Sequence, residues 1–136
     1  MKYKILDELT SDVMFEAYGK DKKELFSNSA EALFSIMCNI KEVKPEIKKE
    51  IDVKGRDIKE LLFNFLQELI ARVDIDSLFF SKFEIKAISD KTLKCICFGE
   101  PISTEKGNVI VKALTLYRFD VEKTKKGYKA TVSLDI

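Results

Sequence analysis

The apolar residues of this chain change their period once, at Asp76, and that change limits the folds open to it. Before Asp76 they recur every three to four residues in two blocks. Leu25, Phe26, Ala30, Leu33, Phe34, Met37 and Ile40 mark a helix over 21–39. Leu61, Leu62, Phe65, Leu66, Leu69, Ile70 and Val73 mark a second over 57–73, its stripe widened by Phe63. Asp21 with Glu24, and Asp57 with Glu60, are capping pairs that open them. After Asp76 the pattern switches to period two, predicting strands at Leu78–Ile88, Thr92–Phe98, Asn108–Asp120 and Tyr128–Ile136. Asp90-Lys91 and Lys125-Lys126-Gly127 read as hairpin turns, and Gly99-Glu100-Pro101 as a break between hairpins. Two shorter strands precede the helices, one over Val13–Tyr18 closed by Gly19, the other over Glu50–Lys54 closed by Gly55. Residues 41–48, with Pro45, form the connector. The expected fold is α+β: two amphipathic helices on a largely antiparallel sheet, a two-layer single domain over 1–136 without internal repeats.

Composition removes whole classes of chemistry. The 136 residues include no histidine, which excludes His-based nucleophile systems, an imidazole base and imidazole metal ligands. Lys and Arg number 24 against 23 Asp and Glu, a net charge of +1 that argues against strong nonspecific attraction to nucleic acid or an anionic membrane. No apolar run approaches the roughly 20 residues a bilayer span requires, and the start Met1-Lys2-Tyr3-Lys4 is unlike a secretory leader, so a cytoplasmic location is expected. Cys38, Cys95 and Cys97 lack zinc-site spacing and read as small buried hydrophobes.

Two places carry candidate chemistry. Asp135 lies on the polar face of the last strand, beside the carboxylate of Ile136. A lone aspartate there is ordinarily just solvated, but a third approaching carboxylate would favour a bound cation. Asp7, Glu8, Thr10, Ser11 and Asp12 supply further oxygen donors, which suit calcium, magnesium or manganese rather than zinc. Lys112 falls between Ile110 and Leu114 on one strand face, where it either snorkels to water or meets a partner charge.

Glu8-Leu9-Thr10-Ser11-Asp12-Val13, Ala17-Tyr18-Gly19 and Lys23-Glu24-Leu25-Phe26 resemble the opening of the archease family. The likeness extends through Gly55-Arg56-Asp57-Ile58, Leu61-Leu62-Phe63-Asn64-Phe65-Leu66, Gly99-Glu100-Pro101, Val111-Lys112-Ala113-Leu114-Thr115 and Leu134-Asp135-Ile136. The resemblance implies an accessory protein rather than an enzyme. Its partner would be an RtcB-type RNA ligase of tRNA splicing, which uses GTP and manganese through a guanylylated histidine. The accessory protein promotes guanylylation and multiple turnover, and meets tRNA only through the ligase. The resemblance also implies a divalent cation, calcium in the family, held by Asp12, Asp135 and Ile136, with Lys112 as the functional lysine beside it.

The chain departs from the family pattern where Leu9 and Tyr117 replace histidines, which puts any imidazole-dependent role in doubt. Glu8 and Ser11 also stand where aspartate and alanine are usual. Two other functions fit the same residues: a metal-dependent hydrolase built on the carboxylates, and a small RNA-binding module.

Overall fold

The computed structural model describes residues 1–6 and 12–136. Both helices begin where the capping aspartates place them. Asp21 Oδ1 accepts the Glu24 N–H at 2.8 Å to open α1 (Lys22–Met37), and Asp57 Oδ1 accepts the Glu60 N–H at 2.8 Å to open α2 (Ile58–Asp76). The glutamates reach back one residue beyond the usual capping box: Glu24 accepts from the Lys20 N–H at 3.3 Å and Glu60 from the Arg56 N–H at 3.1 Å. Helix α1 stops short of the predicted 39 because Cys38 turns extended and bridges Gly107, while the Asn39 N–H bonds the Lys106 carbonyl. Ile40 therefore enters a separate 3-10 turn, Ile40–Glu42. Helix α2 runs past the predicted 73 to Asp76, where Ser77 takes the left-handed conformation (φ 54°, ψ 46°) that a glycine would normally mark.

Among the described residues seven strands accompany the helices: β1 (Tyr3–Leu6), β2 (Asp12–Gly19), β3 (Ile47–Lys54), β4 (Leu78–Ile88), β5 (Thr92–Pro101), β6 (Ala113–Thr124) and β7 (Gly127–Asp135). All pairings are antiparallel, but they make two sheets where the sequence suggested one: β1-β2-β7-β6 and β3-β5-β4. The α+β class and the two helices stand as expected. Strand β1 was not anticipated; four residues on an edge carry too little pattern. Gly99-Glu100-Pro101 does not break the chain but continues β5 opposite Leu78–Phe80. The strand predicted from Asn108 starts only at Ala113, and 108–112 is irregular.

The expectation of no repeat is overturned. Gly19-Lys20-Asp21-Lys22-Lys23-Glu24-Leu25 and Gly55-Arg56-Asp57-Ile58-Lys59-Glu60-Leu61 form the same strand–helix junction. Each glycine lies under the first turn of its helix: a Cβ on Gly19 would stand 2.2 Å from the Leu25 nitrogen, and one on Gly55 2.6 Å from the Leu61 nitrogen. Asn28 Nδ2 donates back to the Tyr18 carbonyl at 2.7 Å, and Asn64 Nδ2 to the Lys54 carbonyl at 2.8 Å. The order β2-β7-β6 after β2–α1 matches β3-β5-β4 after β3–α2, so two strand–helix–hairpin units are present, the second inserted into the first.

The helices join the units. Helix α1 packs on β2 and on β4, and α2 on β3 and on β6, so each helix touches both sheets. Phe26 meets Phe65 at 5.8 Å between ring centroids, and Phe34 meets Phe80 at 5.6 Å and Phe83 at 5.5 Å. Phe26, Phe34, Phe65 and Phe80 are fully buried, each contributing about 1.5–3 kcal/mol. The three cysteines are free and buried, as expected.

Candidate metal centre

The β2–β7 ladder brings two distant segments into register. Asp12 is the Cα partner of Asp135 at one end of the ladder, and Gly19 faces Tyr128 at the other. Directly opposed residues of an antiparallel pair project to the same face with Cβ atoms about 5 Å apart. Asp12 is half-buried and Asp135 exposed. On its other side Asp135 pairs with Ala113, the first residue of β6. The Lys112 N–H donates to the Asp135 carbonyl at 2.8 Å, and the Leu114 N–H donates to Gln67 Oε1 of α2 at 3.0 Å, which fastens the start of β6. Ile136 follows Asp135 and packs partly buried against the core. Asp12, Asp135, Ile136 and Lys112 therefore share one end of the first sheet. Asp7, Glu8, Leu9, Thr10 and Ser11 lie outside the described residues.

Facing like charges on adjacent strands are destabilising by about 0.2–1 kcal/mol. Among the described residues neither Asp12 nor Asp135 is in an ion pair, and neither is the exposed ammonium of Lys112. Ser133 lies two residues before Asp135 on the same face and opposite Met14. It is 0% exposed, and its Oγ has no hydrogen-bond partner among the described residues. Its burial was missed from sequence, where a serine alternating with valine and leucine reads as solvent-facing. The two opposed carboxylates are hard oxygen donors, the kind a hard divalent cation takes. Among the described residues no group of three or more His, Cys, Asp or Glu side chains converges, so a further carboxylate must complete such a site.

Lys112 does not lie on a regular strand face as the alternation suggested; it precedes β6, and only its backbone is tied to the ladder. Beyond it, β6 follows β7 from Ala113 to Thr115 and again from Asp120, with a register shift between. Within that irregular stretch Tyr117 is half exposed, the Arg118 guanidinium lies 5.3 Å from its ring centroid, and Arg118 has φ 53°. Cys95 and Cys97 lie 3.7 Å apart, sulfur to sulfur, in the buried face of β5. The Cys95 thiol and burial push the Cys97 thiol up, and burial pushes Cys38 up to about 12, so neither is a ready nucleophile. No helix of the described residues is long and apolar enough to cross a membrane.

Comparison with known proteins covers nearly the same span. The sequence model of the archease protein family (MTH1598/TM1083) matches residues 3–136. Protein archease of Methanosarcina barkeri is 32% identical over 146 residues, covering 99% of this chain and 96% of its own. Protein archease of Archaeoglobus fulgidus is 33% identical over 138 residues, with all of both chains covered. The solution structure of Methanobacterium thermoautotrophicum protein 1598 superposes with a TM-score of 0.84 at 29% identity, covering 98% of each chain. An archease from Thermotoga maritima, described as a possible chaperone, shares the fold at a TM-score of 0.69 and 17% identity, over 96% of this chain and 95% of that one.

Proposed function

Because the chain belongs to the archease family, we propose that it is an accessory protein that activates an RtcB-type RNA ligase in tRNA splicing, promoting guanylylation and repeated turnover of the ligase. It meets tRNA through that ligase and is not itself an enzyme. The observation that carries this reading is the Asp12–Asp135 pair, set in register and joined to Lys112 through the Asp135 carbonyl.

In this reading Asp12, Asp135 and the Ile136 carboxylate hold a divalent cation, calcium in the first instance and magnesium or manganese as its rivals. Bound there, the ion supplies positive charge that cancels the repulsion between the opposed carboxylates. The ladder holds Asp12 and Asp135 at a fixed spacing, and Lys112 adds an exposed cation at the rim. That combination suits docking at a ligase site which itself binds metal and GTP phosphates.

The test is ligation of tRNA halves by a small amount of the cognate ligase with GTP and manganese. With this protein present each ligase molecule should join many substrates; a yield that stays near one product per ligase would remove the reading. Extending the chain beyond Ile136 by a few residues displaces the carboxylate, and should weaken calcium binding measured by calorimetry. Unchanged affinity in the extended protein would remove Ile136 from the ligand set.

A further inference from the structure

A second feature lies beside that site and on a different chemistry. Residues 102–112 cross the C-terminal end of α2 and leave a groove of about 370 Å³ between them. Met37 and Phe79 line it together with Ile70 and Val73 of α2, and Val109 and Val111 lie along the other side. Its surroundings are unusually apolar for a surface in a chain that is 35% charged. Of the residues lining it, Ile110 is 84% exposed and Ile102 46%. Large side chains gathered in this way around a concavity mark an interaction surface rather than scattered surface residues.

The charges at the groove identify what fits it. The last turn of α2 carries Asp74 and Asp76 and no basic residue. A helix C-terminus is the negative end of the dipole, so two carboxylates there are placed against the field. Asp74 lines the groove and is in no ion pair among the described residues. Asp76 is 15% exposed, and its Oδ2 is buried without a hydrogen-bond partner among the described residues. The cation on the same helix is already engaged: Arg72 bonds Glu68 at 2.8 Å and stands 3.8 Å from Asp76. The backbone ties the groove to the carboxylate site: Val111 lines the groove and precedes Lys112, whose N–H donates to the Asp135 carbonyl.

We propose that this groove docks the partner protein, through a segment in which a large apolar side chain is followed closely by a lysine or arginine. The apolar side chain enters between Val73 and Val109, and the basic one meets Asp74 and the negative end of α2. Because Val111 of the groove is followed by Lys112, bonded to Asp135, a partner docked in the groove would lie next to the metal site. The proposal rests on the function proposed above only for the identity of that partner.

Two variants leave the core untouched, Ile110→Asp and Asp74→Lys, because both side chains are exposed. The first measurement uses the isolated protein and two synthetic peptides, one of leucine and lysine, the other with glutamate replacing lysine, followed by backbone amide shifts. The lysine peptide should shift residues of the last α2 turn and of 102–112, and either variant should weaken it about tenfold. Shifts elsewhere, none at all, equal binding of the glutamate peptide, or unchanged binding by both variants would overturn the proposal. The second measurement is stimulation of the cognate ligase. If the wild type stimulates and both variants match it, the groove assignment falls while the function stands. If the wild type does not stimulate, the function falls and the peptide titration decides the groove alone. Light scattering supplies the last arm: self-association abolished by Ile110→Asp would give the groove to a second copy of this chain and overturn the assignment to another protein.

Discussion

The opposed aspartates make a prediction whose sign depends on the solution. Asp12 and Asp135 face each other in the ladder with no ion pair among the described residues. Two unit charges about 6 Å apart in a water-like dielectric repel by about 0.7 kcal/mol, within the range of about 0.2–1 kcal/mol for like charges directly opposed in a sheet. Asp12→Asn removes that repulsion while keeping side-chain size. In a chelator the variant should therefore be more stable than the wild type by about 0.5 kcal/mol, raising Tm by about 2 °C at this chain length. Calcium at 100 times its Kd stabilises the wild type by about 2.7 kcal/mol, a rise of about 10 °C, and should barely move the variant. Thermal unfolding followed by circular dichroism, in EDTA and in calcium, reads both shifts. The order of the two proteins must invert between the two conditions. A variant less stable than the wild type in both, or a wild type indifferent to calcium, magnesium and manganese, would refute the reasoning.

Three further outcomes follow from the fold. Gly55→Ala places a Cβ 2.6 Å from the Leu61 nitrogen and should lower stability by about 2–3 kcal/mol in urea unfolding; a loss below about 0.5 kcal/mol would show the junction can open. Native protein at pH 8 should resist a thiol reagent, because Cys38 is pushed up to about 12 and all three cysteines are buried, and should expose three thiols on unfolding; rapid labelling of the native state would contradict that packing. The Tyr18 hydroxyl, at 2.8 Å, holds Glu16 below its ordinary 4.5, with the Lys129 ammonium assisting against burial. That stability is present above 4.5 and is lost as pH falls through the lowered value, so Tyr18→Phe should flatten the acid limb by a few tenths of a kcal/mol. A steeper limb in the variant would refute the assignment.

Much of the secondary structure is legible because its signals are local. Asp21 and Asp57 open the helices within a few residues of the groups they cap, and Asp90-Lys91 and Lys125-Lys126 turn hairpins that close on themselves. What escaped is set by distant contacts. Helix α1 ends at Met37 because Gly107 and Lys106 engage Cys38 and Asn39. Val109, Ile110 and Val111 read as part of a strand, yet they are apolar because they line a groove in an irregular segment. The duplicated junction was hidden because its two helices share little after Asn28 and Asn64, and because one unit interrupts the other. Asp12 and Asp135 were each visible as candidates, but only the β2–β7 register places them opposite each other. Ser133 gave no signal, since a buried serine and a solvated one look alike in a strand pattern.

The most direct measurement is the rate at which a cognate RtcB-type ligase becomes guanylylated with GTP and manganese, alone, with this protein, and with Asp12→Ala. The account expects acceleration by the wild type and its collapse in the variant. Acceleration that survives Asp12→Ala would keep the partner and discard the metal site; no acceleration by the wild type would contradict the account itself.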